Sequence, residues 1–185
     1  YETKKDIINY YQINEDKITV VYNSIFTKKR KSVKLPKQFL LYVGNRHGYK
    51  HFKTLMNILP KIIKKTPHKL ICAGGEKVSA EEKNYIIKHN LEKKIIFQNF
   101  SDEELNYVYL KASCLVITSI AEGFRKIASK YAIYFKKKNS KNLLKKINNL
   151  LDNGYNQISK NNKNLKRFNP IKQKKKLIKI YKKLI

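Results

Sequence analysis

Four times between residues 39 and 118 a short apolar run gives way to a polar turn, and after each of the first three the turn opens a stretch with helical spacing. The runs are Phe39–Val43, Lys69–Ala73, Lys94–Gln98 and Cys114–Thr118. Runs that are apolar almost throughout belong to strands buried on both faces, the situation of a parallel sheet. Their alternation with helical patterns predicts an α/β layered domain with right-handed crossovers. Phe52, Leu55, Met56, Leu59 and Ile63 mark the first crossover helix. Ser79-x-x-Glu82 and Ser101-x-x-Glu104 are capping boxes that open the next two. The ends of the chain add a helix over residues 3–12 and a short β-branched strand from Lys17 to Tyr22. A helix bearing Leu143, Leu144, Ile147, Leu150 and Leu151 follows later, and Pro170 opens a last one, with Ile171, Ile178, Tyr181 and Ile185 along one side.

The rhythm breaks once. Tyr131–Phe135 reads as another strand, but only Arg125–Lys130 separates it from Phe124. A parallel crossover needs a dozen residues or more. Either the two strands are not parallel neighbours, or a segment is absent between Phe124 and Tyr131.

A chain of 185 residues has room for one compact domain with a short appendage. It opens on Tyr1-Glu2-Thr3-Lys4, neither a translation start nor a secretory signal, so residues are expected upstream. Cys72 and Cys114 lie far apart inside apolar runs and read as buried small hydrophobes in a reducing cytoplasm. The net charge of +29 points to an anionic ligand or membrane surface. It does not select nucleic acid, because the lysines are spread over the whole length and arginine occurs only at Arg30, Arg46, Arg125 and Arg167. The lysine-rich last helix fits either an anionic lipid surface or packing on the body with a solvated lysine face.

Candidate ligand groups gather where the runs end, the edge at which α/β sheets place their ligands. Gly44-Asn45-Arg46-His47-Gly48-Tyr49-Lys50 offers a close turn, a guanidinium fork and an ammonium at a helix start, all suited to phosphate. Gly74 and Gly75 close the second run, and Asn99-Phe100 the third. Glu122-Gly123-Phe124 follows the fourth, where a carboxylate accepts sugar hydroxyl hydrogen bonds. Each also fits an ordinary turn, and the residues alone leave both readings open. His47 and His51 share a helical spacing but have no third ligand, so no metal is expected.

The order of these motifs resembles the group 1 (family 4 type) retaining glycosyltransferases. Ile18–Ile25 is similar to the interdomain strand of that family. Leu41–Phe52 resembles its first donor-domain strand and Arg/Lys diphosphate loop, and Leu70–Gly75 its second strand. Ile96–Tyr109 resembles the base-binding turn with its following helix, and Ser119-x-x-Glu122-Gly123-Phe124 the start of its Glu-x7-Glu motif.

The resemblance implies the second, Rossmann-like domain of a GT-B fold. Residues 1–35 would be the tail of the first domain and linker, 36–168 the donor-binding domain, and 169–185 a basic C-terminal helix. It implies transfer of a hexose, such as mannose, from a GDP- or UDP-linked donor to a glycan or lipid-linked acceptor. The setting would be surface polysaccharide or lipopolysaccharide synthesis, in the cytoplasm or peripherally on the inner face of the plasma membrane. No metal or other cofactor is implied. Arg46 and Lys50 would neutralise the departing diphosphate, Glu122 would hold the donor sugar, and Gly44, Asn45, Gly74, Gly75, Asn99, Phe100, Gly123 and Phe124 would line the donor.

The family pattern also continues beyond Phe124 through a helix with a second Glu and a further strand, which are missing here. Either that segment lies outside this sequence or it is deleted; loss of a central strand would open a core seam, which favours the former. The alternatives are a catalytically inactive nucleotide-binding remnant and a basic nucleic-acid-binding protein.

Overall fold

The structure, a computed structural model, describes residues 2–21, 30–119, 133–136, 138–153 and 170–182. They fall into two compact units. One is drawn from the chain ends and holds α1 (Glu2–Tyr11) and α7 (Pro170–Tyr181); the other holds the sheet and the remaining helices.

The sheet contains β1 (Phe39–Val43), β2 (Lys69–Ala73), β3 (Ile95–Gln98) and β4 (Cys114–Leu115), all parallel, in the order β3-β2-β1-β4. Leu40 pairs in register with Leu70 and Cys114, and Leu41 with Ile71 and Leu115. Because side chains alternate across a strand, β1 feeds two cores. Leu40 and Tyr42 join Leu70, Cys72 and Ile95 on one face, under α2 (Phe52–Met56), α3 (Leu59–Lys65), α4 (Ala80–Lys88) and α6 (Ser140–Asn153). Phe39 and Leu41 join Ile71, Ala73 and Val108 on the other, under α5 (Asp102–Lys111). The result is the Rossmann-like, helix-flanked parallel sheet expected from the sequence.

The first crossover is two helices, not one. A helix continuing through Pro60 would leave the Met56 carbonyl without its i+4 N–H, because proline has none. The chain breaks at Asn57–Ile58, α3 starts with Pro60 in its first turn, and the Tyr85 hydroxyl donates to Met56 O at 3.2 Å. Both capping boxes form as expected, Ser79 with Glu82 and Ser101 with Glu104.

Two expected strands are not present where described. The residues after a 3₁₀ turn at Glu15–Lys17, 18–21, are irregular, and the Val20 carbonyl accepts from Lys176 Nζ at 2.6 Å in place of a ladder partner. β-branched composition does not make a strand without a neighbouring one. Residues 133–136 are likewise outside any ladder, with Ile133 and Tyr134 exposed. The junction between Phe124 and Tyr131 lies outside the described residues. α7 buries Gln173 but leaves Ile171, Leu177 and Ile178 exposed, at 67%, 41% and 44%.

At the N-terminal ends of the strands, His68 Nε2 lies 3.1 Å from Ser113 Oγ, while its buried Nδ1 has no partner. Burial pushes the His68 pKa below its ordinary value. The ring is therefore held neutral, and its stabilising effect is complete above the unfolded-state pKa of about 6.5 and declines as pH falls below it. The unfolding midpoint should drop between pH 7.5 and 5.5 more steeply in the wild type than in His68→Gln. Tyr85→Phe should cost about 1 kcal/mol in urea denaturation, because Met56 O loses the hydroxyl that stands in for its helical donor.

Candidate functional site at the carboxyl ends of the strands

Strand order reverses beside β1: the chain passes from β1 to β2 to β3 in one direction and returns by α5 to β4 on the other side. A reversal of strand order at the carboxyl edge is where open parallel sheets place their ligands. Gly44 leaves β1 with φ 112° and Gly74 and Gly75 leave β2 with φ 81° and 87°, all in the left-handed region that favours glycine. The ladder carries into these turns through Gly44 N–H to Ala73 O at 2.9 Å and Gly74 N–H to Gln98 O at 3.3 Å.

Past Gly44 the chain makes a 3₁₀ turn, Gly48–Lys50, and passes through His51 at φ 48° into α2. The Thr118 hydroxyl, just beyond β4, donates to the Lys50 carbonyl and ties the two loops together across the reversal. The Lys50 ammonium lies over Gly44: a Cβ on that glycine would stand 3.9 Å from Lys50 Cε and 4.0 Å from Nζ. The Tyr49 ring centroid is 5.2 Å from the same ammonium.

Arg46 is buried, its side chain only 2% exposed. Nε donates to Glu82 Oε1 at 2.8 Å and Nη1 to Gly74 O at 3.2 Å. Nη2 donates to Glu76 O at 2.6 Å, Lys77 O at 3.3 Å and Glu82 Oε2 at 3.5 Å. The Phe97 ring lies beneath, 4.9 Å from Cζ, within cation–π range. Glu82 Oε2 also accepts from Ser79 N–H at 2.9 Å. Burial works against the charge on Glu82, but the hydrogen bonds from Arg46 and Ser79 outweigh it and hold the carboxyl below its ordinary range.

The other expected site residues are placed as follows. Asn45 is exposed, and Tyr42 Oη donates to its carbonyl at 2.8 Å. Asn99 is exposed, whereas Phe100 is half-buried and packs on the second core. Glu122, Gly123 and Phe124 lie outside the described residues. No group of three metal-ligating side chains occurs among the described residues. Burial pushes the Cys72 thiol up and the Cys114 thiol up to about 12, so both stay protonated and non-nucleophilic. Glu82, Phe97 and Thr118 are the residues sequence reasoning missed. Glu82 shows only as a cap, and its second role depends on an arginine 36 positions away.

A Cβ on Gly75 would stand 2.8 Å from Arg46 Nη1 and 3.2 Å from Gly44 O, at a φ that strains any L side chain. Gly75→Ala should destabilise by roughly 1–3 kcal/mol in chemical denaturation. Gly48→Ala, at φ 60° with nothing within 4 Å, should cost less.

The family model of the Glycosyl transferases group 1 matches residues 23–125, more than half of the chain. The O-antigen chain mannosyltransferase RfbU of Salmonella typhimurium is 27% identical over 125 residues, which is 67% of this chain and 35% of that protein. A glycosyltransferase of Rickettsia africae superposes with TM-score 0.72 at 14% identity, over 98% of this chain and 61% of that one. S. aureus TarM, in a complex that includes UDP, superposes with TM-score 0.63 at 14% identity, over 96% of this chain and 39% of that one. The sheet of this chain is thus that of GT-B glycosyltransferases. The motifs at the ends of β1, β2 and β3 all fall inside the matched segment, and the chain belongs to the Glycosyl transferases group 1 family.

Proposed function

We propose that this chain is the donor-binding part of a retaining, metal-independent hexosyltransferase. It takes a hexose, mannose foremost, from a GDP- or UDP-linked donor to a glycan or lipid-linked acceptor in surface polysaccharide synthesis. The observation that carries the reading is the reversal of strand order at β1 and β4, with the Lys50 ammonium over Gly44 beside it. In open parallel sheets ligands sit at that reversal, and a phosphate approaches closest where glycine leaves no Cβ. The RfbU relative is a mannosyltransferase of O-antigen chains, and the TarM complex holds UDP, which supports this donor class. The chain spans 35% of RfbU's length, so acceptor and linkage belong to the proposal and not to the match.

In the reaction the bond between the anomeric carbon and the β-phosphate oxygen breaks, and negative charge grows on the departing diphosphate. A fixed ammonium stabilises that charge without a proton transfer. The departing phosphate takes the acceptor hydroxyl proton as that oxygen bonds to the anomeric carbon from the same face, so the product anomer is that of the donor. Glu122 accepts hydrogen bonds from the donor sugar, and Gly123 and Phe124 lend contacts beside it, as the family pattern implies. Asn99 and the exposed edge of Phe100 border the base. The net charge of +29 suits a peripheral seat on the anionic inner face of the plasma membrane.

Calorimetric titration with UDP and GDP tests the donor reading. The wild type should bind one of them, and Lys50→Ala should weaken that binding by roughly 10–100-fold, the loss of one charge-assisted contact. Affinity for the free nucleoside should be unchanged. A wild type with no affinity for either diphosphate overturns the reading.

A further inference from the structure

We propose that Arg46 is a positioning residue, the internal clamp of the turn between β2 and α4, and not a ligand of the diphosphate. A guanidinium has five N–H donors. Here Nε is on Glu82, one Nη1 donor is on Gly74 O, and both Nη2 donors are shared among Glu76 O, Lys77 O and Glu82. At most one N–H is left, and Gly75 lies directly against the nitrogen that carries it. The charge is matched by the Glu82 carboxylate, and one face of the plane rests on Phe97. Turning outward to a phosphate would abandon three backbone carbonyls and a half-buried carboxylate together, a change that breaking a buried pair makes strongly unfavourable.

The clamp reaches the ligand edge through contacts, not through charge. Arg46 draws the carbonyls of residues 74, 76 and 77 to one point and so sets the turn in which Gly74 and Gly75 hold their left-handed backbones. That turn packs on Gly44: a Cβ on Gly74 would stand 3.8 Å from Gly44 N, and one on Gly75 3.2 Å from Gly44 O. Gly44 in turn lies beneath the Lys50 ammonium. Arg46 therefore holds the turn between β2 and α4 against Gly44, while the charge presented at the ligand edge is that of Lys50. Glu82 shares the role, because its carboxylate also caps α4. The clamp itself does not depend on the donor reading; only the expected ligand preference does.

The test uses Arg46→Met/Glu82→Gln, which removes both charges while glutamine still satisfies the capping box. In the absence of nucleotide, amide hydrogen exchange over residues 74–79 should speed up at least tenfold in this variant and stay as in the wild type in Lys50→Ala. The ratio of UDP to UMP affinity (or GDP to GMP, whichever pair the wild type binds) should be kept within about threefold in the double variant. In Lys50→Ala it should fall tenfold or more. Should the double variant fail to fold, Arg46→Lys, which keeps the pair with Glu82 but loses the fork, carries the same two readouts. Unchanged exchange over residues 74–79, or a tenfold fall in that ratio on altering Arg46, would overturn the proposal. A wild type that binds no nucleotide would sink the donor reading, while the exchange measurement still decides the clamp.

Discussion

The structure depends on β1 being buried on both faces. Leu40 and Leu41 are successive residues at 0% exposure, each the centre of a different core. A strand in that position must have neighbours on both sides and helices above and below, because any open side would leave ladder groups or apolar surface in water. Parallel pairing then brings every strand out at the same edge. Placing β2 on one side of β1 and β4 on the other puts the reversal of strand order at β1. The candidate ligand site is thus a consequence of how one strand is buried.

A second constraint is electrostatic. The chain carries 42 lysines and arginines against 13 acidic residues, yet the most buried ion pair among the described residues has an arginine matched by a scarce acid. Lysine would not serve there: a point charge on a flexible stem cannot meet a carboxylate and three carbonyls at once, whereas a planar fork can. Few acids remain for surface pairing, and two of them, Glu82 and Glu104, combine helix capping with an ion pair. The Glu104 carboxyl is lowered chiefly by its bond from the Ser101 backbone, with Lys31 adding to it. This use of acids is local and leaves the lysine-rich surface uncompensated.

Most of the sheet could be read from the residues because its signals are local. Phe39–Val43 and Lys69–Ala73 are continuous apolar runs closed by glycine, and both capping boxes sit within four residues. What could not be read depends on partners far along the chain. Ile18–Val21 has strand composition but, among the described residues, no strand to pair with. The break at Asn57 needs Tyr85 to satisfy Met56 O, a contact 29 residues away. The loops at the ends of β1 and β2 were legible in position, but not in the orientation of their side chains. Nothing local distinguishes an arginine pointing to solvent from one drawn beneath its own loop by Glu82.

That distinction changes how the loop after β1 works. Two cations four residues apart look equivalent in a sequence, and both suit phosphate. In the fold one is neutralised at once, and its charge has little reach beyond the carboxylate beside it. The other stands over a glycine, with its backbone tied to β4 through Thr118. Under the proposed donor reading the two divide the labour: the rigid, forked cation holds several acceptors at an interior point, and the single-headed one meets the ligand at the edge. Gly75 must stay small for Arg46, and Gly44 at φ 112° disfavours a side chain, so the turn that admits the clamp also leaves the backbone beneath Lys50 bare.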